Sequence, residues 1–235
     1  MRLSLLTLLP LLGALPLRAD LIAVESARFP FCLVGESVKV SVGKQLSMVE
    51  GEYDFKYVPR FDRADRSDRI AFRYAAFAPK EADSLEALVE ITQIKLRVGT
   101  VEFAPEDFAF VEEDAGASLQ IAPEDARGVI FTFRIPRALL HQQCTLHISH
   151  YQPHYRFGGK KVSAWLPLLP DFEALKNEFL YSRVDFTVEF EAVDAVRLHR
   201  LSANESVVQE TPQRVQVHPI HWENIAVEVE EPARS

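Results

Sequence analysis

Apolar and polar residues alternate with period two over much of this chain. Val38, Val40 and Val42 share one phase, with Ser37, Lys39 and Ser41 on the other. Tyr53, Phe55 and Tyr57 alternate with Glu52, Asp54 and Lys56, Phe72 and Tyr74 with Ala71 and Arg73, and Ile94, Leu96 and Val98 with Lys95 and Arg97. The same pattern predicts strands over 129–135, 144–148 and 162–166. It is cleanest where Val184, Phe186, Val188 and Phe190 oppose Asp185, Thr187, Glu189 and Glu191. Shorter strands are predicted over 196–198, 215–217 and 225–229. Alternation of this kind buries one strand face and wets the other, as antiparallel sheets do.

Turn residues punctuate the pattern at Val49-Glu50-Gly51, Pro105-Glu106-Asp107, Pro123-Glu124-Asp125, Gly158-Gly159 and Ser202-Ala203-Asn204. Helix is scarce. Phe172, Leu175 and Phe179 follow Asp171 at helical spacing and predict one short helix near 172–179. Residues 85–91 fit helix or strand equally. The helical crossovers of a doubly wound α/β fold are missing. The expectation is an all-β, antiparallel β-sandwich, immunoglobulin-like in a loose sense, because half-buried strands are covered most economically by a second sheet. The Cys…Trp…Cys order of a true immunoglobulin domain is absent, since both tryptophans follow both cysteines. The run Leu166-Pro167-Leu168-Leu169-Pro170 marks the best internal boundary. It separates a main β domain over 20–170 from a C-terminal β segment over 171–235, which completes the sandwich or forms a small second module. A boundary near 114–127 would divide the chain more evenly.

The N-terminus departs from the alternation. Met1-Arg2 is followed by an uncharged apolar run over 4–17, then Arg18-Ala19 and the polar Asp20. This is the layout of a secretory signal peptide, 1–19, cut after Ala19. The run is shorter than the about 20 residues a membrane-spanning helix needs. The product is expected in a periplasm or outside the cell, with no transmembrane segment after cleavage. Cys32 and Cys144 are the two cysteines. An oxidising compartment permits them to bridge, which would stabilise the fold by roughly 4 to 5 kcal/mol through loop closure. Two buried free thiols are the other reading.

Composition adds two facts. The 235 residues carry a net charge of −8, and signal cleavage removes two further positive charges, Arg2 and Arg18, which argues against nucleic acid as a partner. The 16 Phe and 6 Tyr largely occupy the alternating strand positions, so they belong to the core.

Candidate chemistry is sparse. The segment Tyr151, His154, Tyr155, Arg156 and Phe157 ends in Gly158-Gly159 and reads as a hairpin loop, with Trp165 on the outward phase of the next strand. Exposed aromatics with Arg and His favour protein or sugar contacts. His141, His147, His150 and His154 form a His-rich segment, 141–154, which could ligate zinc or copper with help from His218 or His221. Its spacing lacks the His-x-His chelate of a strand, and His147 and His150 fall on opposite phases. The loop over 60–69 alternates Asp with Arg and pairs with itself. Carboxylates such as Glu50, Glu52, Asp54, Glu189 and Glu191 sit on the wet phases of strands. A glycosidase-type pair among them is the third possibility. The leading expectation is an exported, non-enzymatic binding or structural protein with no cofactor and with a protein or carbohydrate partner in the envelope. The alternatives are a metal-binding envelope protein using His147, His150 and His154, and a secreted carbohydrate-active hydrolase.

Overall fold

The computed structural model describes residues 21–23, 31–57, 68–111, 123–140, 143–165, 185–201, 205–219 and 225–232. The strands are β1 (Leu21–Ala23), β2 (Phe31–Val42), β3 (Leu46–Tyr57), β4 (Arg69–Pro79), β5 (Lys95–Val98), β6 (Val101–Phe103), β7 (Asp107–Phe110) and β8 (Ala126–Pro136). They continue as β9 (Gln143–Pro153), β10 (Tyr155–Phe157), β11 (Lys160–Trp165), β12 (Asp185–Ala192), β13 (Arg197–Arg200), β14 (Glu205–Thr211), β15 (Arg214–Pro219) and β16 (Ile225–Glu230). One α-helix, α1 (Leu85–Thr92), is present among the described residues. The expected helix at 172–179, the 1–19 segment, His141, His221 and most of the 60–69 loop lie outside them.

The fold is β-rich and built from three sheets. One has eight strands in the order β14-β15-β12-β2-β3-β9-β5-β6, and the two four-stranded sheets run β1-β4-β8-β7 and β10-β11-β16-β13. The expectation of wholly antiparallel pairing needs correction. β2 and β12 run parallel, with Val38 opposite Val188 and Val40 opposite Phe190. Identical alternation suits either direction, so periodicity carries no direction signal. A parallel pair needs only a long connection, which the chain between 43 and 184 supplies. C-terminal strands join N-terminal ones in two sheets, β12 on β2 and β16 on β11.

Residues 85–91 resolve as helix. The Ala87 N–H donates to the N-cap Ser84 Oγ at 3.2 Å, and Gln93 closes the helix in a left-handed conformation (φ 49°). Leu88 anchors it in the core.

A large core fills the space along the inner face of the eight-stranded sheet. Val38, Val40, Tyr53, Phe55, Leu146 and Ile148 project from that sheet. Against them pack Phe72, Tyr74, Phe131 and Phe133 from β4 and β8, and Trp165, Ile225 and Val227 from β11 and β16. Rings meet edge to face across the layers, Tyr53 on Tyr74 with centroids 6.4 Å apart and Phe55 on Phe72 at 5.6 Å. A second cluster joins the two smaller sheets to each other: Ala75, Phe77 and Ala126 meet Tyr155, Val162, Ala164 and Ala226.

The predicted turn at Val49-Glu50-Gly51 is another correction, because β3 runs straight through it. Gly51 is there for space. A Cβ on it would lie 2.5 Å from Tyr53 Cε2 and 2.7 Å from its hydroxyl oxygen. The tyrosine ring covers the bare backbone two residues away on the same face.

Cys32 pairs in register with Lys56 and Cys144 with Phe55. The two cysteines therefore sit on strands flanking β3 from opposite sides, two strand spacings or roughly 10 Å apart. A disulfide spans at most about 7 Å between Cα atoms. Cys144 is a buried free thiol. The Cys32 side chain is outside the described residues.

Two outcomes are expected. Gly51→Ala should destabilise the protein by about 1 to 3 kcal/mol in urea unfolding, the usual cost of overpacking; a neutral result would mean that Tyr53 does not lie over Gly51. Thiol titration of unreduced, denatured protein should find both cysteines free.

Candidate functional site

The aromatic segment expected to form an exposed recognition loop is divided between interior and surface. Tyr151 lies on the outer face of the eight-stranded sheet, at the end of β9. Tyr155 belongs to β10 and is buried; its hydroxyl donates to the Phe77 carbonyl at 2.9 Å, and its ring meets Phe77 edge to face. Burial holds that phenol's proton well above its ordinary range, with Asp125 adding to the effect. Phe157 is half-buried against the same cluster, and Arg156 is exposed. Trp165, expected on an outward phase, is buried in the main core. Gly158 and Gly159, at φ 56° and 76°, make the tight β10–β11 turn, as their sequence predicted.

The histidines diverge. His147 is on the outer face, with Nδ1 3.8 Å from a Glu52 carboxylate oxygen. His150 points inward and is buried. Its Nδ1–H donates to the Tyr151 carbonyl at 3.3 Å, so its Nε2 accepts from the Tyr74 hydroxyl at 3.1 Å. His154, between β9 and β10, places Nε2 3.0 Å from Ser47 Oγ, which is 2.8 Å from Ser163 Oγ. His218 pairs with Thr187 at 3.3 Å. Among the described residues no three His, Cys, Asp or Glu side chains are grouped to hold a metal ion. Burial lowers His150 to about 4; burial first and then the Lys161 charge lower His154 to about 4. Burial, with Asp54 nearby, pushes the Cys144 thiol up to about 11, which makes it a poor nucleophile.

What the strands do assemble is the outer face of the eight-stranded sheet. Register aligns its polar positions in rows across the strands. One row runs Thr187, Ser37, Glu52, His147, Arg97, Glu102. The next runs Gln216, Glu189, Lys39, Glu50, Ser149, Lys95. Opposite charges neighbour one another at Glu189, Lys39 and Glu50 and at Arg97 and Glu102, with uncharged positions between them. Lys39 meets Glu191 at 2.5 Å, Arg214 meets Glu189 at 2.6 Å, and Lys95 meets Glu102 at 3.0 Å. The hydrogen bond to Glu191 raises the Lys39 pKa, and the same contact lowers that of Glu191. At the centre lies a hollow of about 440 Å3 lined by Ser37, Lys39, Glu50, Arg97, His147 and Ser149 among others. Ser37, Lys39, Glu52, Lys95, Arg97 and Glu189 lie on the wet phases that the alternation predicts. Their convergence was hidden, because it depends on strand order. The face offers donors and acceptors of both signs at cross-strand spacing, in the open.

His150 is neutral in the folded protein down to about pH 4, while in the unfolded chain it gains a proton near pH 6.5. The unfolded state thus binds more protons between those values, and stability rises with pH across that window. Acidification from pH 7 to 4.5 should cost up to about 3 kcal/mol from His150 alone, read as a falling urea midpoint. His150→Gln should flatten that slope; an unchanged slope would place the titration elsewhere.

No family model matches the chain, and no curated protein matches it. Among solved structures, yeast LTA4 hydrolase in complex with bestatin aligns at 12% identity and a TM-score of 0.37, over 88% of this chain and 30% of that one. Native yeast LTA4 hydrolase aligns at 12% identity and 0.39, over 85% and 29%. Native leukotriene A4 hydrolase from Saccharomyces cerevisiae aligns at 10% and 0.40, over 87% and 31%. This chain thus spans less than a third of the length of those it aligns with.

Proposed function

We propose that the chain is an exported, non-enzymatic binding or structural protein of the cell envelope, and that it meets its partner through the outer face of the eight-stranded sheet. The observation that carries this reading is the hollow on that face, lined by Lys39, Arg97, Glu50 and His147 within rows that hold charges of both signs. In the same reading the eight-stranded sheet is one layer of a loosely immunoglobulin-like sandwich, and the two four-stranded sheets together form the other. The signal-peptide layout of 1–19 supports export to a periplasm or the exterior. No helix among the described residues is long and apolar enough to cross a membrane.

The chemistry of the face favours a protein surface carrying both signs, or a sugar presenting hydroxyls to closely spaced donors and acceptors. Glu50, Glu52, Glu189 and Glu191 would repel a phosphate backbone.

Site-directed photo-crosslinking in the producing cells tests the assignment. A photoreactive residue at Ser149, in the hollow, should give a discrete adduct that the double variant Lys39→Glu, Arg97→Glu removes. The same residue at Arg73, exposed on the four-stranded sheet of β4, should give none. Equal adducts from both positions, or none from Ser149, would refute the outer face as the contact surface.

A further inference from the structure

Along β3 and β9 the outer face of the eight-stranded sheet changes character. Leu46, Met48, Glu50 and Glu52 point outward from β3, and Pro153, Tyr151, Ser149 and His147 stand opposite them on β9. The first two pairs, Leu46 with Pro153 and Met48 with Tyr151, are apolar. The next two, Glu50 with Ser149 and Glu52 with His147, are polar and line the hollow, as Met48 also does. Leu46 is 45% exposed, and Tyr151 is half-buried. Tyr151 lies two residues along β9 from Ser149, a step of roughly 7 Å, so an aromatic ring stands at the rim of the polar hollow.

The polar half has groups to spare. Among the described residues, the side chains of Glu50, Arg97, Ser149 and Tyr151 make no hydrogen bond or ion pair. The charges lining the hollow balance, Lys39, Lys95 and Arg97 against Glu50, Glu52 and Glu102. A polyanion or polycation gains no net attraction there. The hollow's volume of about 440 Å3 falls within the about 300 to 1,000 Å3 typical of small-ligand sites.

We infer that the hollow binds a neutral oligosaccharide, with one sugar ring stacked on Tyr151 and the chain laid along β9 towards His147. The inference rests on the outer face being the contact surface and names what it contacts. A pyranose ring presents C–H groups on its face and hydroxyls around its rim. Tyr151, Met48 and Leu46 match the face, and a tyrosine ring gives rigid contact area at low entropic cost. Glu50, Arg97 and Ser149 match the rim: the carboxylate accepts from a hydroxyl, the guanidinium donates to one, and the serine does either.

Calorimetric titration of the mature protein with neutral trisaccharides of glucose, mannose, galactose and N-acetylglucosamine tests the inference. At least one should bind with a Kd no weaker than about 1 mM, and trigalacturonate should bind more weakly than that sugar. Tyr151→Ala should weaken its binding about tenfold or more, whereas Tyr151→Phe, which keeps the ring, should stay within about twofold. Glu50→Gln, at an exposed position that does not threaten folding, should weaken it about threefold or more. Arg73→Ala, on the sheet of β4, should change nothing, and circular dichroism checks that each variant folds. The inference is overturned by a panel with no binder, by tighter binding of trigalacturonate, or by binding that Tyr151→Ala or Glu50→Gln leaves unchanged. If the sugars fail while Ser149 still crosslinks to a protein, the outer face stands as a protein contact and the sugar assignment alone falls. If both fail, the face falls with it.

Discussion

Burial of β4 on both faces is the constraint from which the rest of the architecture follows. Its run Tyr74-Ala75-Ala76-Phe77-Ala78 is wholly interior. Tyr74, Ala76 and Ala78 belong to the main core, whereas Ala75 and Phe77 belong to the smaller cluster. A strand buried on both faces must be covered twice. The eight-stranded sheet covers one side and the β10-β11-β16-β13 sheet the other. The alanines leave room for neighbouring backbones to approach, and the two aromatic residues reach across the gaps. Both tyrosine hydroxyls at these contacts have partners, Tyr74 with His150 and Tyr155 with the Phe77 carbonyl. An unpaired hydroxyl there would cost about 1 to 3 kcal/mol, so each pairing also fixes how the layers sit.

The same logic places polar groups between the eight-stranded sheet and β11. Ser47 of β3, Ser163 of β11 and His154 form one short chain of hydrogen bonds, and the Gln152 amide donates to the Ala164 carbonyl at 2.5 Å. These groups are deep enough that their satisfaction specifies registration more than it adds stability. A neutral imidazole serves this purpose at the pH of most compartments, because burial removes its tendency to carry charge. Of the histidines that suggested a metal site, His150 and His154 are held by packing and hydrogen bonds on the inner face, and His147 lies 3.8 Å from Glu52 on the outer one.

Much of the fold could be read from periodicity, and the failures share a physical cause. The strands that alternate strictly, such as β2, β9 and β12, lie close to where their pattern put them, since each has one wet face. Edge strands such as β14 escaped notice because a strand exposed on both faces has no pattern. The opposite failure occurred at Trp165. Phase was taken to mean outward, yet β11 is covered on both sides by the two clusters and has no outward phase at its end. The signal was present in the continuous apolar character of Ala164-Trp165 and of Tyr74 to Ala78, the mark of a strand buried on both faces. Strand order and direction left no trace. The outer-face rows and the parallel β2–β12 pair depend on both.

The three sheets also explain where interaction is possible at all. Two small sheets cover the inner face of the large one, and they bury each other's adjoining faces through Phe77 and Tyr155. That consumes most of the apolar surface the strands generate. Among the described residues the outer face of the eight-stranded sheet is covered by no other sheet, and its ion pairs, at 2.5 to 3.0 Å yet roughly half-exposed, hold little stability individually. Selection for stability therefore constrains this face weakly. Across β12, β2 and β3 the row Glu189, Lys39 and Glu50 does alternate in sign, a property of the surface as a surface that would favour one orientation of a matching protein over one displaced by a single strand, where like charges would meet.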